Sequence, residues 1–277
     1  MRRSTILFLA LLIAGFTTSV ACSAPSAELY DGEIADVLNA DGDNEGASFD
    51  HSDFEKLLAR HVDADTNRVR YADLKTDSES LDAYLETIAN AELETLGPDE
   101  QHALLINAYN AYTLQLILEH YPGIDSIRDI SDPWGNERYV VAGYPLSLDQ
   151  IEHQLIRPIF KDPRIHFAVN CAAIDCPPLR PWAYRGDSLD EQLDEVTHDV
   201  LSASDFVRVE GDELQVTRLF DWYEDDFIND SFHGHAANVA QYIVRYSTED
   251  VRRFVESHDG EPSVSFLDYD WGLNDVE

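Results

Sequence analysis

The sequence predicts a helix-rich α+β fold, a single domain around one modest, mostly antiparallel sheet. Three patterns predict it. Apolar residues recur at helical spacing in several separate segments, two pairs of short runs flank glycine turns, and no fixed-period repeat is present. The chain has 277 residues, 44% of them hydrophobic, which is enough to fill a proper core.

The chain starts Met-Arg-Arg-Ser, then runs apolar from Ile6 to Phe16 and small or polar up to Cys22. A basic start, a short apolar stretch and small residues read as a secretory signal over 1–21. The run is shorter than the ~20 residues a bilayer span needs. Ser19-Val20-Ala21-Cys22 resembles a bacterial lipobox, which makes Cys22 the expected site of lipidation, although such sites prefer Leu where Ser19 stands. Plain cleavage after Ala21 or Ala24 is the alternative. Either way the expected location is exported, periplasmic or in the outer envelope, with membrane contact only through a lipid anchor at Cys22. Residues 22–47, rich in Ala, Ser, Asp, Gly and Asn, read as a flexible acidic tether with a short helix near 33–38. A single globular domain is expected over 48–277.

Within that domain, spacing predicts helices over 48–60 and 80–88, with a short strand at 68–71 between them. Pro98-Asp99-Glu100 opens the strongest helix, to about residue 121, and Pro122-Gly123 closes it. A hairpin is expected at 138–142 and 144–146 around Gly143. Ser147-Leu148-Asp149-Gln150 is a capping box that starts a helix to about Arg157, with Pro158 at its exit. Residues 165–170 read as a buried strand and 171–181 as a loop. A helix follows over 188–201, then a hairpin at 206–210 and 213–217 turning at Gly211-Asp212. Phe220, Trp222, Tyr223 and Phe227 read as the core face of a helix, 235–246 and 248–257 as two more helices, and 264–267 as a last strand.

The chain carries 19 Lys and Arg against 54 Asp and Glu, a formal charge of −35. That charge repels phosphate backbones and anionic head groups, so nucleic acid is not an expected partner. The acids are spread along the whole length, as on a halophilic surface adapted to high salt, where the Debye length falls to ~3 Å.

Four blocks in this order are specific: DEQHALLINAYNAYTLQLILEHYPGIDSI at 99–127, SLDQIEHQLIRPIF at 147–160, IHFAVNCAAIDCPPLRP at 165–181, and LFDWYEDDF at 219–227. Together they resemble the bacterial domain of unknown function 547, over roughly 50–250. The resemblance implies an exported member, and it maps the family's motif residues onto Asn107, Tyr109, Asn110, Glu152, His153, His166, Cys171, Cys176, Pro177 and Tyr184. It names no activity, and only weakly suggests thiol-linked chemistry.

The chemistry must therefore be read from the residues. Cys171 follows the expected strand, where a nucleophile is exposed on rigid backbone, and its thiol needs a base. Five residues of strand span ~16 Å and put His166 on the opposite face. His153 is therefore the expected base, with Glu152 or an asparagine orienting it and His166 in reserve. Asn107 and Asn110 share a face of an otherwise apolar helix. With Tyr109 they either line a polar pocket or tie the helix to a loop. Cys171 and Cys176 also have a spacing that a structural disulfide can close. Cys171, Cys176, His153 and His166 are residue types that bind zinc, in a spacing that matches no standard site. Asp63-x-Asp65-x-Asn67 opens like a calcium loop but has Arg68 and Leu74 where Gly and an acid are required, and reads as a solvated turn.

The sequence thus points first to an envelope thiol hydrolase acting on amide or ester bonds, in peptides or cell-wall material, without a cofactor. Two alternatives stay open: a non-catalytic envelope module fixed by a Cys171–Cys176 bridge, whose partner is another envelope protein, and a zinc-dependent enzyme.

Overall fold

A computed structural model of the protein describes residues 27–276 apart from 39, 43–45 and 67; the leader 1–21, Cys22 and Asn67 lie outside them. The first helix, α1 (Glu33–Val37), is one acidic turn that buries Ile34. Nearby, the Tyr30 amide donates to the Gln154 carbonyl at 2.9 Å, so part of segment 22–47 is packed on the domain. α2 (Ser52–His61), α3 (Tyr71–Thr76) and α4 (Ser78–Ala89) follow. The strand expected at 68–71 shrinks to bridges through Val69 alone, to Val62 and to Asp275. Tyr71 instead starts α3, because its buried hydroxyl is drawn to Asn274 Oδ1 at 2.7 Å.

α5 (Pro98–His120) is the axis of the molecule. It is buried almost all round, with Pro98 in its first turn and Asp99 and Glu100 beside it. A helix with apolar residues on every face belongs in a core, and the polar side chains on this one all need partners. β1 (Tyr139–Val141) and β2 (Tyr144–Leu146) form the expected hairpin. Its turn places Ala142 at φ 50° and Gly143 at φ 83°, which suits glycine and strains alanine. The Ala142 and Gly143 amides pin the turn to the last carbonyls of α4.

The capping box closes in both directions between Ser147 and Gln150. The helix it opens is a π-helix, Gln150–Phe160, and it runs through Pro158 rather than stopping there. Lys161, in the left-handed region at φ 50°, ends it. The strand expected at 165–170 is absent: Pro163–Phe167 is a 3-10 helix. Asp162 caps it through the Arg164 amide at 2.9 Å, and Pro163 supplies a helical φ at the first position. Asp-Pro is a helix start, and it overrides the apolar run behind it.

α6 (Leu189–Ser202) covers this region. β3 (Val207–Glu210) and β4 (Glu213–Val216) pair antiparallel around Gly211 at φ 63°. The aromatic helix is split at Tyr223 into α7 (Leu219–Trp222) and α8 (Glu224–Ile228). α9 (Val239–Ile243) is shorter than 235–246, and α10 (Glu249–Ser257) is capped by Thr248. β5 (Ser263–Phe266) joins β4 in parallel. The fold is α+β, but its strands form two small sheets: the β1–β2 hairpin and a three-stranded β3–β4–β5 sheet. No helix among the described residues is long and apolar enough to cross a membrane.

Candidate functional site

Six of the candidate catalytic, orienting and thiol side chains line one cavity of about 280 Å³: Tyr109, Glu152, His153, His166, Cys171 and Cys176. Tyr109 comes from α5, Glu152 and His153 from the π-helix, His166 from the 3-10 helix, and the cysteines from the loop after it. Asn107 and Asn110 are not on this wall. Each clamps a loop backbone through both ends of its amide. Asn107 bonds the carbonyl and amide of Tyr184 at 2.7 and 3.0 Å. Asn110 bonds the Ala168 carbonyl at 3.0 Å and the Asn170 amide at 2.8 Å. They act on the site by fixing the residues either side of its loop.

The 3-10 helix changes the geometry of His166. On a strand it would face away from Cys171; here both open into the same cavity. His166 Nε2 lies 2.7 Å from Asp226 Oδ2. Arg157 grips the same carboxylate, Nε to Oδ2 at 2.6 Å and Nη2 to Oδ1 at 3.0 Å. Burial alone would raise the Asp226 carboxyl, but the bonds and charges of His166 and Arg157 outweigh it and hold it at about 2. Burial keeps His166 below the ordinary histidine value. An ionised Asp226 beside a neutral imidazole puts the ring proton on Nε2 and leaves Nδ1 as the basic nitrogen. That nitrogen lies 4.0 Å from Glu152 Oε1. The ring is stacked on Tyr223 at 4.0 Å between centroids, which fixes its plane.

His153 is in a poorer position to accept a proton. Its Nδ1 takes a hydrogen bond from Arg157 Nη1 at 3.2 Å, and Nε2 faces Asp149 at 3.8 Å. Burial and the Arg157 charge push it down to about 4. Glu152 is raised by burial and receives a hydrogen bond from Tyr109. Tyr109 itself is kept protonated by burial.

Cys171 and Cys176 are free thiols. Cys171 is half-buried and Cys176 is buried. Cys176 Sγ accepts from the Cys171 amide at 2.9 Å. Cys171 Sγ meets the Tyr269 hydroxyl at 3.5 Å. The Cys176 thiol lowers the Cys171 value most; burial opposes this, and the Tyr269 hydroxyl and Ala173 amide add to it. Burial and the neighbouring sulfur push Cys176 the other way, well above the usual thiol range. The pair therefore consists of one ionisable and one protonated sulfur. Among the described residues, no group of three or more His, Cys, Asp or Glu is placed to hold a metal ion.

The outer wall is aromatic, formed by Trp134, Trp222, Tyr269 and Trp271. Two of these come from a C-terminal segment with no helical or strand period. It is laid against the cysteine loop by backbone bonds: Ile174 to Gly272 at 2.8 Å, Asn274 to Ala172 at 3.0 Å, and an Ala173–Leu273 bridge. Ser126 holds the Trp271 carbonyl at 2.6 Å. Sequence reasoning missed this wall. It also missed Asp226, although that residue stands inside the LFDWYEDDF block. Its available signal was its place three residues after Tyr223 and next to Phe227, which sets it on the core side of a short helix.

No curated protein and no solved structure matches the chain. Residues 93–201, which carry Tyr109, Glu152, His153, His166, Cys171 and Cys176 but neither Asp226 nor the C-terminal wall, match the family described as "Protein of unknown function, DUF547", and this match supports the family suggested by the sequence blocks.

Proposed function

We propose that this is an exported cysteine-dependent hydrolase acting on amide or ester bonds, with Cys171 as nucleophile and His166 as its base. One observation carries the reading. An ionisable thiol and an imidazole held by a buried carboxylate open into the same aromatic-walled cavity.

The steps follow from those roles. His166 Nδ1 takes the Cys171 proton, directly or through one water. The thiolate attacks the carbonyl carbon of the substrate. The imidazolium, steadied by Asp226, returns its proton to the leaving nitrogen or oxygen as that bond breaks. Water activated by the same imidazole then cleaves the thioester and releases the acid. Asp226 is a positioning residue, because it acts through the ring. Glu152, raised by burial, is a proton donor to the oxygen side of the substrate. The half-buried aromatic wall suits an acyl group with an apolar face, and the charge of −35 disfavours anionic polymers.

The test uses activated esters and acyl-peptide amides on the full chain, with peptide mapping of any acyl adduct. A thioester on Cys171 is expected, together with loss of turnover in Cys171→Ala. In His166→Gln, kcat falls and Cys171 alkylation near neutral pH slows. A folded protein that never acylates at Cys171, or whose alkylation is indifferent to His166→Gln, overturns the assignment.

A further inference from the structure

The geometry points to Cys171 and Cys176 as an oxidisable pair, in which a hydroperoxide oxidises Cys171 and Cys176 resolves it into a reversible disulfide. The inference shares Cys171 with the hydrolase reading but requires no hydrolysis, so the two can fail separately.

Three features of the loop carry it. First, the sulfurs are already neighbours. Cys176 Sγ is aimed at residue 171 by the Cys171 amide at 2.9 Å and sits 3.8 Å from the Val169 carbonyl. With that sulfur fixed beside the Cys171 backbone, rotation of the Cys171 side chain is the motion left to make the bond. Second, the loop is closed without a bridge. Asn170 sits just before Cys171 and Pro177 just after Cys176, and Asn170 Nδ2 bonds the Pro177 carbonyl at 2.8 Å. Asn170 Oδ1 takes the Ala172 amide at 2.9 Å, and Asn274 Nδ2 approaches it at 3.3 Å. The scaffold that holds the two residues together is therefore built from hydrogen bonds that do not depend on a bridge. Third, the two thiols differ in access. Cys171 lines the cavity and is half-buried, whereas Cys176 is buried behind it. An oxidant that enters the cavity meets Cys171 first, and the second sulfur waits within the protein. Attacking and resolving roles require this division.

The chemistry balances with a hydroperoxide as oxidant. The Cys171 thiolate attacks the distal peroxide oxygen; the O–O bond breaks, and the alkoxide leaves and takes a proton as the alcohol. Cys171 is now a sulfenic acid. The Cys176 sulfur attacks the Cys171 sulfur, an S–S bond forms, and hydroxide leaves with the Cys176 proton as water. An external dithiol reverses this by exchange, becoming a disulfide itself and returning both thiols. Oxidation removes the nucleophile from the cavity and protects it from the irreversible sulfinic step.

The test is hydrogen peroxide treatment of the reduced full chain, followed by intact-mass analysis and peptide mapping with and without dithiothreitol. The expected product loses two hydrogens, maps to a Cys171–Cys176 crosslink, no longer alkylates at Cys171, and recovers fully with dithiothreitol. In Cys176→Ala the same treatment gives a dimedone-reactive sulfenic acid that advances to sulfinic acid. If that variant does not fold, the wild-type map decides alone. Oxygen added to Cys171 with no crosslink overturns the inference, as does an unreactive Cys171. A bridge present from the start that dithiothreitol cannot open in the folded protein overturns it too. Acyl transfer is not read in this experiment, so its loss or presence does not bear on the result.

Discussion

The floor and the outer wall of the cavity are held by different forces. The floor is a buried charge network: Arg157 and His166 each lie within 3.0 Å of the Asp226 carboxylate, and His153 is on the far side of Arg157. The wall sets Tyr269 and Trp271, from an aperiodic C-terminal segment held by backbone hydrogen bonds, against the rings of Trp134 and Trp222. Trp222 stacks on Trp271 at 5.7 Å, and Tyr269 contacts both. A buried ion pair fixes geometry at the expense of desolvation, whereas apolar stacking adds stability without fixing a proton. The difference teaches where chemistry is to be expected: on the floor, where protonation states are imposed by neighbours. The wall shapes what enters.

Breaking the floor has the largest expected effect. Asp226 is 2% exposed, and its removal leaves the Arg157 charge buried without that carboxylate. Asp226→Ala is expected to cost ~3–5 kcal/mol in urea unfolding near neutral pH. The floor should also show in the pH dependence. Asp226 in the folded protein sits at about 2, below its unfolded value of 3.8, so its contribution is present above pH ~4 and is lost as pH falls toward 2. The wild-type minus variant difference should therefore shrink across that window. A difference that stays flat down to pH ~2 would show that Asp226 contributes packing and not charge.

A second window separates His153 from Asp226. His153 is held at about 4, below its unfolded value of 6.5, so the unfolded chain binds the proton first as pH falls. Stability is expected to drop by about 3 kcal/mol between pH ~6.5 and ~4 from this residue, and His102, buried to about 4 against Phe160, should add a similar drop. Equilibrium unfolding at closely spaced pH values measures it. The wall has no such group in that range. Trp271→Ala, half-buried, is expected to cost ~2 kcal/mol by lost packing, equally at pH 5 and pH 7. A pH-dependent cost would contradict the division between floor and wall.

This division also explains what the sequence made legible. The floor lies on elements with local signals. Pro98-Asp99-Glu100 marked α5, and the Ser147–Gln150 capping box marked the start of the π-helix, so Tyr109, Glu152 and His153 could be placed beforehand. His166 is only the reserve base in sequence for a local reason that does not hold: the apolar run 165–170 predicts a strand, whereas Asp162-Pro163 starts a 3-10 helix over Pro163–Phe167. Asn107 and Asn110 were legible as a pair but not in role, because a buried amide facing a pocket and one clamping a backbone have the same spacing. Asp226 is one acid among 54 Asp and Glu, so its type carried no signal. Residues 268–276 have neither helical nor strand period, and their contacts with 125–126 and 172–175 are long-range. Nothing local in such a segment predicts that Tyr269 and Trp271 close a site.

The smallest expected effect tests the single point where wall and floor meet. The Tyr269 hydroxyl lies 3.5 Å from Cys171 Sγ and is kept protonated by burial, so it can donate to the thiolate. Tyr269→Phe keeps the ring and its stacking on Trp222 and Trp271 and removes only that donor. One such hydrogen bond has a net value of ~0.5–1.5 kcal/mol, which corresponds to an upward move of the Cys171 thiol of about one pH unit or less. The measurement is the rate of iodoacetamide labelling of Cys171 against pH. The wild-type midpoint should fall below that of an ordinary thiol, and the variant's should lie between the two. If the midpoint does not move, the Cys176 thiol and the Ala173 amide hold the thiolate without help from the wall, and Tyr269 serves only to shape the cavity. If it moves by much more than one unit, the wall is part of the catalytic electrostatics, and the separation between the two regions fails at this residue.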